Sequence, residues 1–143
     1  MIDTTGKTLQ EVSDEIAGKL IEQGSRCVRS ENSEFPNADV RCAYSDGEGN
    51  HCAIGWLLDP KNEAVMSFGG GLDSMSLAEL ISEEPNKEFI SENREALIVI
   101  QRIHDHPRKE GRRDNLGVLA IEHGLDTSAW LPWVELGEER PFA

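Results

Sequence analysis

Apolar residues recur at helical spacing over three long stretches of the chain and alternate only briefly elsewhere. Leu9, Val12, Ile16 and Leu20 lie one turn apart, so the pattern predicts a helix from about Thr8 to Gln23. Thr8 and Glu11 carry the spacing of a capping box, and Gly24 supplies a left-handed stop. The opposite face holds Glu11, Asp14, Glu15, Lys19 and Glu22 and is expected in solvent. A second run, with Ile90, Leu97, Ile98, Ile100 and Ile103, predicts a helix over roughly Lys87 to Asp105, ended by Pro107. A third helix is expected from Asn115 to His123, opened by Asp114 as its N-cap and closed by Gly124. A shorter helix through Leu77, Leu80 and Ile81 follows from Ser76 with Glu79 and ends before Pro85.

Between these helices the periodicity changes. Arg26 to Arg29 is a short, partly apolar patch, and Val40 to Tyr44 reads as a strand. Asp46-Gly47-Glu48-Gly49-Asn50 has strong turn chemistry, so His51 to Ile54 is expected to return as the second arm of a hairpin. The apolar run from Ala53 to Leu58 fits a buried strand or the first turns of a helix equally well, and Asp59-Pro60 ends either one. Lys61 to Asp73 is loop-like, with Gly69-Gly70-Gly71 as a hinge; these glycines lack the pattern of a phosphate loop. Trp130, Pro132 and Trp133 precede a polar tail. The expectation is an α+β fold: a small antiparallel β-hairpin or sheet packed with four to five helices. One domain over 1–143 is expected, with loosely held ends at about 1–6 and 136–143.

Charge narrows the function classes. Among 143 residues, 27 acids face 14 bases, a net charge of −13, which argues against general affinity for nucleic-acid phosphates. The N-terminus lacks the basic and apolar regions of a secretory signal, and no apolar run approaches a membrane span. The three cysteines, Cys27, Cys42 and Cys52, form no framework, so reduced thiols and a cytoplasmic location are expected, with no membrane partner.

Four groups of residues could carry chemistry. Cys52 follows a turn and could open a helix, whose N-terminus favours thiolate; His104 and Asp105 could then serve as base and orienter. The competing reading makes Cys42 and Cys52 small buried residues facing each other across the hairpin, with His104 at a helix C-terminus. Zinc could draw on Cys42, His51, Cys52, His104 and His106, although no pair has the usual metal-ligand spacing, and neither metal nor cofactor is the favoured expectation. Arg108, Lys109, Arg112 and Arg113 form a basic turn on an acidic chain. It could grip a phosphate-bearing small molecule beside aromatics such as Tyr44, Trp56 or Trp130, or be a solvated turn that complements the preceding helix end. Finally, residues 73–95 carry five net negative charges, with Glu83, Glu84, Glu88 and Glu92 as candidate contacts to a basic partner surface.

Several short motifs carry a resemblance. Cys42-Ala43-Tyr44, Gly49-Asn50-His51-Cys52-Ala53-Ile54-Gly55, Gln101-Arg102-Ile103-His104-Asp105 and Leu119 to Leu125 together resemble a group of small tailed-bacteriophage and prophage proteins. That group joins an N-terminal helix, a C-x-Y…G-x-x-C-A-x-G hairpin and a Q-x-x-H-D helix end. His51 and His106 add imidazoles that the pattern does not require. The resemblance implies a viral accessory protein in the host bacterial cytoplasm and assigns no activity. The expected function is therefore non-enzymatic binding of a host protein, such as a nucleic-acid-binding or defence factor. Sequestration of a small phosphate-bearing signal and cysteine-dependent catalysis are the alternatives.

Overall fold

The first helix forms where its sequence demands. α1 runs Leu9–Gln23, Thr8 accepts from the Glu11 amide, and the Glu11 carboxylate accepts from the Thr8 amide. Gly24 ends it at φ 80°. Val12, Ile16, Ala17 and Leu20 are fully buried, which places the predicted stripe in the core. The computed structural model describes residues 1–24, 51–62 and 83–136, and the backbone of 28–29 and 41–42. Gly69–Gly71, Tyr44 and the expected helix through Leu77 and Ile81 lie outside the described residues, as do the side chain of Cys42 and the tail beyond 136.

The architecture is helical, and this overturns the α+β expectation. The extended pairing among the described residues is four residues in all: β1 (Val28–Arg29) against antiparallel β2 (Arg41–Cys42), with Val28 opposite Cys42. The expected partner of Val40–Tyr44 was His51–Ile54, and that segment is not a strand. It leads instead into a 3-10 turn, Ile54–Leu57. Side chains take the hydrogen bonds that a strand would offer to a neighbour. The Gln23 amide both donates to the His51 carbonyl (3.0 Å) and accepts from its N–H (2.9 Å), and Gln101 Oε1 accepts from the Ile54 N–H (3.1 Å). With its backbone already satisfied, the run from Ala53 to Leu58 coils and buries Ile54, Leu57 and Leu58 completely.

The remaining helices are α2 (Lys87–Glu92), α3 (Arg94–Asp105), α4 (Lys109–His123) and the short α5 (Leu131–Val134), which follows a 3-10 turn at Ser128–Trp130. The single helix expected over 87–105 is divided at Asn93, whose side-chain amide donates to the Phe89 carbonyl and draws the backbone out of helical dihedrals. α3 and α4 form a helical hairpin through His106-Pro107-Arg108. Trp130 and Trp133 seal the core: Trp130 Nε1 donates to Ser13 Oγ on α1 (2.9 Å), and Trp133 Nε1 donates to the Ile103 carbonyl (3.2 Å).

The N-terminal residues pack against the 3-10 turn and the start of α2. Ile2 is buried and its N–H donates to the Trp56 carbonyl. Asn86, itself buried, donates to the carbonyls of Ile2 (2.7 Å) and Leu57 (2.8 Å) and accepts from the hydroxyl and amide of Thr4. One amide side chain thus joins the N-terminus, the 3-10 turn and the entrance to α2.

Candidate functional site: the Cys52 turn, the closed end of the helical hairpin and the acidic helix

The Q-x-x-H-D motif lies at the C-terminal end of α3, and the structure brings it against the Cys52 turn. Spacing of four residues puts Gln101 and Asp105 on one face, where Gln101 Nε2 donates to Asp105 Oδ1 (2.7 Å). The same Gln101 holds the Ile54 amide through its oxygen. His104 Nδ1 lies 2.8 Å from Asp105 Oδ1, and the imidazole stacks on the Trp133 ring, with centroids 5.6 Å apart and planes at 11°. His104 is 0% exposed and Cys52 is 1% exposed. The Cys52 thiol is free of any disulfide, and its sulfur accepts from the Gly55 amide at 3.2 Å, closing the 3-10 turn. Gln101 thus links the turn that Cys52 closes to the His104–Asp105 pair, and both Cys52 and His104 are shut off from solvent.

The basic turn becomes the first turn of a helix. α4 begins at Lys109 with Arg108 as its N-cap, so Asp114 lies inside the helix and does not start it. Gly111 makes this start possible: a Cβ there would fall about 2.1 Å from atoms of the His106 ring. The burial of Arg112 is the centre of the arrangement. At 1% exposure its guanidinium donates to four carbonyls, those of His106 (2.9 Å), Pro107 (2.9 Å), Val134 (3.3 Å) and Leu136 (2.9 Å). A cation in low dielectric is tolerated because oriented carbonyl dipoles replace its water. Arg113 donates to Glu135 (2.8 Å), and Lys109 lies 3.9 Å from the same carboxylate. The Arg113 guanidinium holds the Glu135 carboxyl below its ordinary value, and Glu135 in turn raises Arg113. Three of the four clustered bases thus fasten the segment after α5. Arg108 stays exposed at the helix start.

Trp56 and Trp130 do not stand beside that cluster as pocket walls. Trp130 is fully buried against α1. Trp56 packs edge-on against His51 (4.6 Å between centroids), with the Lys19 ammonium 5.5 Å from its ring. Its indole Nε1 is buried without a hydrogen-bond partner among the described residues. His106 uses Nδ1 to accept from the Arg108 amide. Among the described residues no group of three or more His, Cys, Asp or Glu side chains is placed to hold a metal ion.

The four candidate glutamates divide. Glu83, Glu88 and Glu92 are exposed, whereas Glu84 is buried at 3% and its two oxygens accept from the Asp59 amide (2.9 Å) and Asn62 Nδ2 (3.0 Å). Glu84 fastens the loop that follows the 3-10 turn. Sequence reasoning missed this, and it missed Asn86 and Gln23 as clamps. Their only signal is a polar residue of moderate reach beside an apolar run.

Comparison with known protein families, with characterised proteins and with solved structures finds no match to this chain. Among the described residues no helix is long and apolar enough to cross a membrane.

Proposed function

We propose that this protein is a non-enzymatic binding protein that captures a basic surface of a host bacterial protein, in keeping with its resemblance to small tailed-phage accessory proteins. The observation that carries the reading is the state of α2 and its approach. Glu83, Glu88 and Glu92 are exposed and make no hydrogen bond or ion pair among the described residues. Glu95 extends the exposed acidic surface into α3. Lys87 and Arg94 are exposed on the same stretch, but the carboxylates outnumber them, and a surface of net negative charge accelerates encounter with a complementary one. The cysteine-dependent alternative finds its nucleophile and base buried, and the phosphate-grip alternative finds Arg112 enclosed and Arg113 paired.

The test is association kinetics between the protein and the host protein it captures from infected cells, at low and high salt. The association rate should fall steeply as the screening length shortens to about 8 Å near physiological salt and below it beyond that. Glu83→Gln, Glu88→Gln and Glu92→Gln combined should slow association and leave folding unchanged. Salt-insensitive association, matched by the triple variant, would overturn the reading.

A further inference from the structure

The helical hairpin is closed at one end by the Arg112 clamp. Along its outer side, between α3 and α4, lies an open cleft of about 630 Å³, within the range of roughly 300–1,000 Å³ common for small-ligand sites. Its floor is aliphatic: Val99 is buried, and Ile98 and Val118 are half-buried. Charged side chains of both signs line it, Arg102 on one hand and Glu95 and Glu122 on the other. Among the described residues these three groups form no ion pair with one another or with anything else, although all face the same cleft. Arg94, which also lines it, is engaged in an interaction of its own.

Unpaired opposite charges across an apolar floor complement a ligand that is itself dipolar. The spacing gives its length. Glu95 and Arg102 are seven residues apart on one helix, a rise of about 10 Å. The ammonium and carboxylate of a free amino acid are too close together to meet both ends, whereas an extended tripeptide spans about 10 Å. The hairpin places Glu122, near the end of α4, beside the start of α3, so both carboxylates lie toward the open end, with Arg94 and His123 next to them, and Arg102 lies toward the closed end. Guanidinium and carboxylate match as a two-pronged pair, and an ammonium between two carboxylates satisfies its three donors.

The geometry points to a binding site for a short zwitterionic peptide of about three residues, with its C-terminal carboxylate on Arg102, its N-terminal ammonium between Glu95 and Glu122, and an apolar central side chain over Ile98, Val99 and Val118. This site shares Glu95 with the edge of the acidic capture surface proposed above, but it recognises chain termini rather than a basic patch.

The experiment is calorimetric titration of the full chain with alanyl-valyl-alanine, its N-acetylated form, its C-terminal amide and triglycine. The uncapped peptide should bind, each capped peptide about tenfold more weakly, and triglycine more weakly than the valine peptide. Arg102→Gln should erase the preference for a free carboxylate over the amide, and Glu95→Gln with Glu122→Gln should erase the preference for a free ammonium. Each variant should keep the circular-dichroism spectrum of the parent, because the substituted side chains are exposed. No binding of the uncapped peptide at millimolar concentration overturns the inference. So does equal binding of the capped peptides, or discrimination that survives in the variants.

Discussion

Two sites on the α3–α4 hairpin use arginine in opposite ways. At the closed end, Arg112 is buried and holds four carbonyls of its own chain. Along the open cleft, Arg102 is exposed and holds none. The difference lies in the backbone and not in the side chain. Where α3 stops at Asp105 and the chain reverses, carbonyls are left without helical partners, and the last residue of α5 and the segment after it each bring one more to the same point. A guanidinium with five donors is the side chain that can answer them together. Arg102, in the last turn of α3, lines the cleft instead of the chain reversal, so it remains available to something outside the chain. A run of bases in a sequence therefore says little about ligand binding until the orphan carbonyls around it are known.

The sharpest way to break this comparison is Arg112→Met, which keeps the bulk and removes the donors. It should lower the unfolding free energy by about 3–5 kcal/mol in denaturant titration, because four acceptors lose a charged partner. Arg112→Lys should recover only a fraction of that loss, since an ammonium cannot reach the same acceptors in one plane. A loss below about 1 kcal/mol for the methionine variant would remove the clamp from the account.

A smaller contrast separates glutamates within one acidic stretch. Glu84→Gln should cost about 1–2 kcal/mol by weakening the bonds to Asp59 and Asn62. Glu88→Gln and Glu92→Gln should be neutral or slightly stabilising in the same titration, because they relieve repulsion in a chain of net charge −13. Equal effects at all three positions would show that burial does not distinguish them.

Arg113 belongs to the closed end but stays in solvent, so its effect should be small and pH-dependent. The Glu135 carboxyl is held below its ordinary value by Arg113. Its stabilising contribution is complete above the unfolded-state value and disappears as the pH falls through the lowered folded-state value. The difference in melting temperature between the parent and Arg113→Gln should thus be slight at neutral pH, vanish on acidification below the ordinary carboxylate range, and shrink in high salt. Least of all, Arg102→Gln should leave the melting temperature where it is, within about 0.5 kcal/mol of stability. A clear destabilisation there would mean that Arg102 has an internal role after all.

Legibility from sequence followed the range of the interactions. α1 could be read completely, because its cap, its apolar stripe and its glycine stop all act within four residues. The end of α4 at Gly124 was equally local. The hairpin expectation failed at His51–Ile54, where the deciding partners, Gln23 and Gln101, lie 28 and 47 residues away. The start of α4 was misplaced because Gly111 and the basic run look like a loop, and only the His106 ring packed against Gly111 shows why the helix continues through them. Of the candidate site, the Q-x-x-H-D helix end meets the Cys52 turn through Gln101 and Ile54, a contact across 47 residues that neither motif announces by itself. Burial of Cys52 was one of the two readings, but that His104 would be closed to solvent was not visible, since Trp133 supplies its cover from 29 residues further along the chain.

The bond from Trp130 to Ser13 has a consequence for the timetable of synthesis. The two residues are 117 positions apart. The helix leaves the ribosome well before the tryptophan that closes it has been made. During that interval Val12, Ile16 and Leu20 have no finished core to enter, and the Asn86 knot to Ile2, 84 residues away, also waits. Closing such distant contacts slows folding and leaves an amphipathic helix open to chaperones or to premature association. The element whose sequence is easiest to read is, in the order of assembly, among the last to be locked.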